Sequence, residues 1–595
     1  MPTSYTVHDD ADGNLWAEIS DHRNNTSMQY LGSPTYLSNV WRVLEDGSII
    51  LELEYEYMGI TQKIKLPRGD LKKSELVKYA SQGLNATESN AKYVVDFITL
   101  QEAERDEPPK LIHRGVGMDV FKDDTRKGKH IFKGHRAIGV KSEYIGDLVV
   151  KPKGTLEMFK AFAQKYIIDN PLSLAVAFGL SAIVVGFLGD RLQTESLVIH
   201  LSGESTTGKS TATRLAVSMG SLPSFLEPHT LMNTFDGTEN ALLATLLYNF
   251  GFPACFDEAD ANDRKDLSQF IYRMTSGREK KRLTKEGHQK ATVTYRTTIL
   301  TNGEKRLTAN SNQNTGKEIR VLSFDSISWT KSATHAETVN HFVTEECYAV
   351  PIYYLARHML KLGINEVLKR YEANRKLFIS RSLVNDSFTA RASGKYAFIL
   401  TATELANECM DLCLPFETIL DALVQNEAET QDNRDIAKKA YDYLMEQFNV
   451  NIDKFSLASP TIVHHPITGS VKLSESSATR EVWGIRIPQN NKPMFNGNKC
   501  IMNVCIAKEK CEELLRKGGF QEPKVVFKKF KERQWLDCEN DRYTRTRKIK
   551  ESGTAVTVYA IRIFEAKEDE FSPGESTGRV RKPIQVKEKP IENLA

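Results

Sequence analysis

At 595 residues the chain is too long for a single hydrophobic core, and roughly three or four structural units are expected. Charged residues make up 26% and apolar residues 40%, with a formal net charge of only +3. That balance excludes a disordered polyion, and any nucleic-acid contact has to come from local basic clusters. The eight cysteines are scattered without a C-x-x-C pair, which argues against zinc or a disulfide framework and for reduced thiols in a cytoplasmic protein.

Residues 1–70 read as strands. Asp10-Ala11-Asp12-Gly13-Asn14 and Asp46-Gly47 are hairpin signals. Leu51, Leu53, Tyr55 and Tyr57 alternate with Glu52, Glu54 and Glu56, so one face should be buried and the other wet. Helical patterns over 74–82 and 89–104 complete an α+β accessory domain, 1–150, that carries no evident chemistry. Residues 172–188 are free of charge for seventeen positions, at the short limit of a membrane span. Their place just before a nucleotide motif favours a helix buried on all sides, and no membrane partner is expected.

That motif is Gly203-Glu204-Ser205-Thr206-Thr207-Gly208-Lys209-Ser210-Thr211, which fits G-x-x-x-x-G-K-[ST] at every fixed position. It follows a β-branched apolar run and precedes a helix pattern, the context in which backbone N–H groups and a helix N-terminus cradle a polyphosphate. Lys209 would reach the β- and γ-phosphates of ATP and Ser210 would bind Mg²⁺. Further on, Phe252-Pro253-Ala254-Cys255-Phe256 leads into Asp257-Glu258, a buried strand ending in two carboxylates. Asp257 would hold Mg²⁺ through water, and Glu258 would polarise the attacking water.

The run 278–290 is dense in cations around Gly287 and is followed by strand character, which suggests a hairpin with a basic tip. Lys281, Arg282, Lys285 and His288 are its candidate contacts to DNA phosphates. The strand 297–301 ends in Asn302, which can help place the attacking water. Arg320, ahead of the next apolar strand, is the first choice for an arginine finger reaching a neighbour's γ-phosphate, with Lys317 second.

The order GESTTGKST, CFDEAD, basic hairpin, TTILTNGE and GKEIR resembles Walker A, Walker B, pre-sensor-1 hairpin, sensor 1 and arginine finger of the MCM-like AAA+ replicative helicases. That group includes the helicases of staphylococcal cassette chromosome elements and their phage and plasmid relatives. The resemblance continues through Phe388-Thr389-Ala390-Arg391, similar to the family's lid, where Arg391 would be sensor 2. It reaches Trp483-Gly484-Ile485-Arg486 and the C-terminal module. One departure is Asn302 followed by Gly303-Glu304, where many relatives carry a small hydroxyl residue before Gly-Glu. The resemblance implies an α/β fold with an AAA+ P-loop ATPase core and helical lid over 151–430, a homo-hexameric ring, and 3′→5′ translocation. It also implies work at the replication origin of a mobile element alongside a primase or polymerase.

The C-terminal region, 431–566, supplies a separate argument. Helix patterns at 508–516 and 523–533, a Gly518-Gly519 turn, and two strand patterns at 542–550 and 555–564 describe a winged helix over about 505–566. Lys524, Lys528 and Lys531 form one helical stripe, while Arg545 and Arg547 lie on the first wing strand, a surface for duplex DNA. The tail 567–595 is rich in Pro, Glu, Lys and Ser and is expected to be disordered. An origin initiator or loader would share every motif, and a small-molecule kinase or a nucleotide-switched DNA-binding regulator would share the phosphate loop.

Overall fold

The structure is a computed structural model describing residues 4–565 apart from 12, 22–24, 123–127, 260–266, 280–282, 284–286, 288–291, 308–318, 384–386, 459–461, 466–468, 473–480, 521, 540 and 550–553. For 387, 431–434, 462–465 and 469–472 it describes the backbone alone.

The N-terminal residues form an antiparallel meander, Ser4–Asp9, Leu15–Ser20 and Thr26–Gly32, beside a mixed five-stranded sheet built on the Thr35–Val43 and Ile49–Tyr57 hairpin. Helix Ala91–Ala103 closes their shared core through Val94, Phe97 and Ile98. Alternation in Ile49–Tyr57 holds only in part, because Glu52 is buried and Tyr57 is exposed. A bulge between Leu37 and Asn39 turns the neighbouring strand so that Asn39 Nδ2 donates to the Glu52 carboxylate at 2.6 Å. The 74–82 pattern forms a short α-helix, Lys73–Leu76, followed by a 3₁₀ turn, Val77–Gln82.

The central unit is a five-stranded, wholly parallel sheet in the order Met232–Thr234, Ala254–Asp257, Thr298–Gly303, Leu197–Ser202, Val321–Asp325. Its middle strands are buried along their whole length, as a sheet covered on both faces requires. Helix Leu172–Leu192 is long and apolar enough to cross a membrane, yet 94% of its most apolar window is buried inside the protein. It packs on the phosphate-loop helix Lys209–Ser218 so closely that a Cβ on Gly179 would stand 2.2 Å from the Ala216 carbonyl oxygen. The long helix Ser387–Met410 packs on it as well. Val116, Met118 and Phe132, from a hairpin within the first 150 residues, share this same core, and Val116–Lys122 pairs with Asn249–Phe250.

From Ile436 a third core begins, joining helix Ile436–Val450 to a sheet whose central strands are Asn498–Ala507 and Ala555–Phe564. Helices Lys508–Lys517 and Pro523–Glu532 pack on it, and Arg545–Lys548 pairs with Ala555–Phe564 as a wing. This unit is larger than a bare winged helix, since Phe448, Phe455 and Trp483 belong to its core.

Candidate nucleotide site and nucleic-acid surfaces

Because all five strands run the same way, the ends of the phosphate-loop, Asp257 and Asn302 strands open on one edge of the sheet. The Asn302 strand lies between the other two. Gly203 (φ 140°), Thr206 (φ 71°) and Gly208 (φ 85°) bend the loop, and helix Lys209–Ser218 starts directly from it. Lys209 Nζ lies across the loop, donating to the Gly203 and Glu204 carbonyls at 2.8 and 2.6 Å. A cavity of about 970 Å³ sits over this loop, lined on one side by Ser205, Thr206, Gly208, Lys209, Ser210 and Thr211. Glu258 and Asn302 line it as well.

Asn302 ties the site together. Its Oδ1 accepts from the Glu258 backbone N–H at 3.0 Å, and its Nδ2 reaches Ser210 Oγ at 3.4 Å. Glu258 has φ 59°, a left-handed conformation that costs a non-glycine residue about 1–2 kcal/mol and that the Asn302 bond helps to hold. Burial raises the Asp257 pKa above the ordinary carboxylate value, a shift opposed by an Asn302 hydrogen bond and reinforced by the Glu258 charge. Asp257 Oδ1 is buried with no hydrogen-bond partner among the described residues. An unpartnered buried carboxylate oxygen at the end of this strand fits a hydrated divalent cation, which favours oxygen ligands and keeps several waters.

The far wall of the cavity was not legible in the sequence. It comes from Ser328 and Thr330 to Ser332, and from Ala333, Ala336 and Glu337 in the first turns of helix Ala333–His341. Trp329 N–H donates to the Thr207 carbonyl at 2.8 Å, fixing this wall to the loop. Glu304 was missed too; it accepts from Ser205 Oγ at 2.7 Å. The only local signal was Ser332, whose side chain caps the helix by accepting from His335 N–H. Gly208→Ala is expected to impair nucleotide binding by tenfold or more, because the new Cβ would stand 2.6 Å from Thr330 Oγ1 in a left-handed backbone. Titration with a fluorescent nucleotide measures this, and unchanged affinity would show that the wall can yield.

Arg320 lies elsewhere. It precedes the strand Val321–Asp325, roughly 16 Å of extended chain from the phosphate-loop edge, with its guanidinium 4.5 Å above the Tyr272 ring and 3.4 Å from Glu195. Lys395 Nζ donates to the Ile319 and Arg320 carbonyls, both at 2.5 Å. Arg391, one helical turn before Lys395, is exposed and is not part of the cavity lining. The two arginines thus sit on one side of the unit, apart from the chain's own phosphate loop.

Lys281, Arg282, Lys285, His288 and Lys317 lie outside the described residues. The base of the basic segment is described: Arg278 and Thr294 form an antiparallel bridge, as arms of a hairpin do. In the C-terminal unit Lys524 and Lys528 are exposed, and Lys531 Nζ stands 5.7 Å from the Tyr543 ring centre. Arg545 is bound to Asp537 at 3.0 Å and Glu539 at 2.8 Å, so much of its charge is neutralised within the domain. Arg547 is less engaged, 4.0 Å from Asp537.

A family model described as a domain of unknown function (DUF927) matches residues 9–294, across the phosphate loop and Asp257. A second, described as the Cch helix turn helix domain, matches residues 435–566, beginning beside the helix that opens the third core. No curated protein matches the chain. Among solved structures 34 chains match. One, described as "SCCmec type IV Cch - active helicase", has a TM-score of 0.72 at 18% identity, over 94% of this chain and 97% of that one. The chain therefore shares its fold, along nearly its whole length, with a protein described as a helicase.

Proposed function

We propose that this chain is an ATP-driven DNA helicase of the AAA+ type, working as a ring, with 3′→5′ polarity, in the replication of a mobile element. The observation that carries the ATPase part is the convergence of Lys209, Ser210, Glu258 and Asn302 on one cavity, organised by the Asn302 hydrogen bonds, with Asp257 next to Glu258 at the end of its strand. Lys209 neutralises the β- and γ-phosphates; Glu258, exposed at the cavity, polarises a water, and Asn302 fixes where that carboxylate stands. Ser210 and Asp257 are the residues that would hold Mg²⁺, which would supply charge to offset that of the β- and γ-phosphates. Arg320 stands at the far end of its strand from its own loop and Arg391 lies outside the cavity lining, so each would complete a neighbour's site, which is the reason for a ring, as a hexamer. The fold shared with a protein described as a helicase and the helix-turn-helix match support the DNA-directed part, with Lys524, Lys528 and Lys531 toward duplex and the 278–290 segment toward a strand.

The test is strand separation on a labelled forked duplex with ATP and Mg²⁺. The intact chain is expected to separate the strands, and Glu258→Gln to bind ATP but lose unwinding by at least a hundredfold. Turnover of ATP without unwinding on any fork would turn the reading toward an initiator or loader.

A further inference from the structure

A second cavity, about 500 Å³, lies where the N-terminal hairpin meets the central unit. Three stretches distant in sequence form it: 135–138 beyond strand Gly128–Lys133, 151–156, and 350–357 at the start of helix Pro351–Leu362. His135, Arg136, Lys151 and Arg357 line it together with Tyr353 and Tyr354, and its lining contains no Asp or Glu. Arg136, Lys151 and Arg357 are exposed at the rim, and none has an ion pair with a described residue. Burial lowers the His135 pKa, and the Lys151 and Arg136 charges lower it further, so those cations act on one small space.

Two helices also begin at this cavity. Thr155 caps Leu156–Tyr166 and Val350 precedes Pro351–Leu362, so the positive ends of two helix dipoles add to the side-chain charge. By contrast the buried Lys133 is matched by Glu45 and Asp119, and Arg370 by Glu366, Glu404 and Glu408. Here the positive potential is left for something from outside. Tyr354, 38% exposed, offers a ring face beside the cations.

We propose that this cleft binds the backbone phosphates of a single-stranded nucleic acid, with Tyr354 as a platform for one base. Exposed rim cations next to an aromatic face suit a polymer that crosses the surface better than a small anion enclosed on all sides. The cleft adds a nucleic-acid surface separate from the 278–290 segment and the C-terminal unit, and it stands whether or not the chain is a motor. Helix Leu156–Tyr166 also leads from the cleft to the nucleotide wall, where His335 Nε2 lies 2.8 Å from the Tyr166 carbonyl oxygen.

The experiment measures binding of a labelled oligothymidylate to the full chain without nucleotide, over a range of salt, so that loss of unwinding or of ATP turnover leaves the readout intact. For the Arg136→Ala, Lys151→Ala, Arg357→Ala triple variant the salt slope is expected to fall by about 2, since each strand-bound cation contributes about 0.7. In the intact chain, ultraviolet cross-linking with an iodouridine-substituted strand is expected to label the peptide holding Tyr354, and the triple variant is expected to lose that label. Tyr354→Ala, which leaves every cation in place, is expected to weaken binding about tenfold while keeping the salt slope. A melting midpoint within ~2 °C of the intact chain shows that a variant is folded. An unchanged slope in the folded triple variant, or cross-links confined to other segments, would overturn the proposal. So would strand binding that survives the triple variant while inorganic pyrophosphate binding is lost, which would assign the cleft to a free polyphosphate.

Discussion

Asn302→Ala is expected to lower ATP turnover about a hundredfold or more while nucleotide affinity changes only a few-fold. The reason lies in where its amide acts. Asn302 Oδ1 holds the Glu258 N–H, and that bond helps keep Glu258 in a left-handed backbone conformation with its carboxylate at the cavity. Without the amide, nothing offsets the strain, and the residue can relax toward ordinary backbone geometry, carrying the carboxylate away from the water it has to polarise. Asp257 would at the same time lose a hydrogen bond that stabilises its ionised form. Lys209 and the loop N–H groups would remain, which is why affinity should be largely kept. Single-turnover hydrolysis beside a nucleotide titration separates the two effects. Turnover within about twofold of the intact chain would remove Asn302 from the mechanism.

Arg320→Ala is expected to reduce turnover by about 10³-fold, and mixing it with Lys209→Ala subunits should restore part of the loss. Geometry motivates the experiment: Arg320 stands at the far end of its strand from the phosphate loop, held against Glu195 and Tyr272. A side chain there cannot reach the γ-phosphate of its own subunit. In a ring of randomly mixed subunits, about a quarter of the head-to-tail interfaces would join an intact loop to an intact finger. Activity at equal mixing should therefore approach that fraction, and it should fall on dilution as rings dissociate. No recovery at any ratio would leave Arg320 as a structural cation for Glu195.

Arg320 also shows how little a motif says about what surrounds it. The sequence carried the phosphate loop because its chemistry is local: two glycines, a lysine and a serine at fixed spacing between a strand and a helix define a backbone path almost without help from the rest of the chain. Asp257 and Glu258 were legible for a similar reason, as the polar end of a short apolar run. The C-terminal helices Lys508–Lys517 and Pro523–Glu532 followed from periodicity, which reports one face of a single element.

By itself, then, the sequence determined the loop, the carboxylate pair and the run of elements in which they sit. It determined too that residues 172–188 form one apolar stretch, though not what covers it. Only the tertiary structure decided that the Asn302 strand lies between the loop strand and the Asp257 strand, so that one amide can reach both Ser210 and Glu258. The wall at 328–337, the neutralised state of Arg545 and the meeting of Arg136, Lys151 and Arg357 were decided in the same way. Each depends on pairing between segments tens to hundreds of residues apart. Such pairing is set by which faces bury together, a property of the whole packed chain that no spacing of residues records.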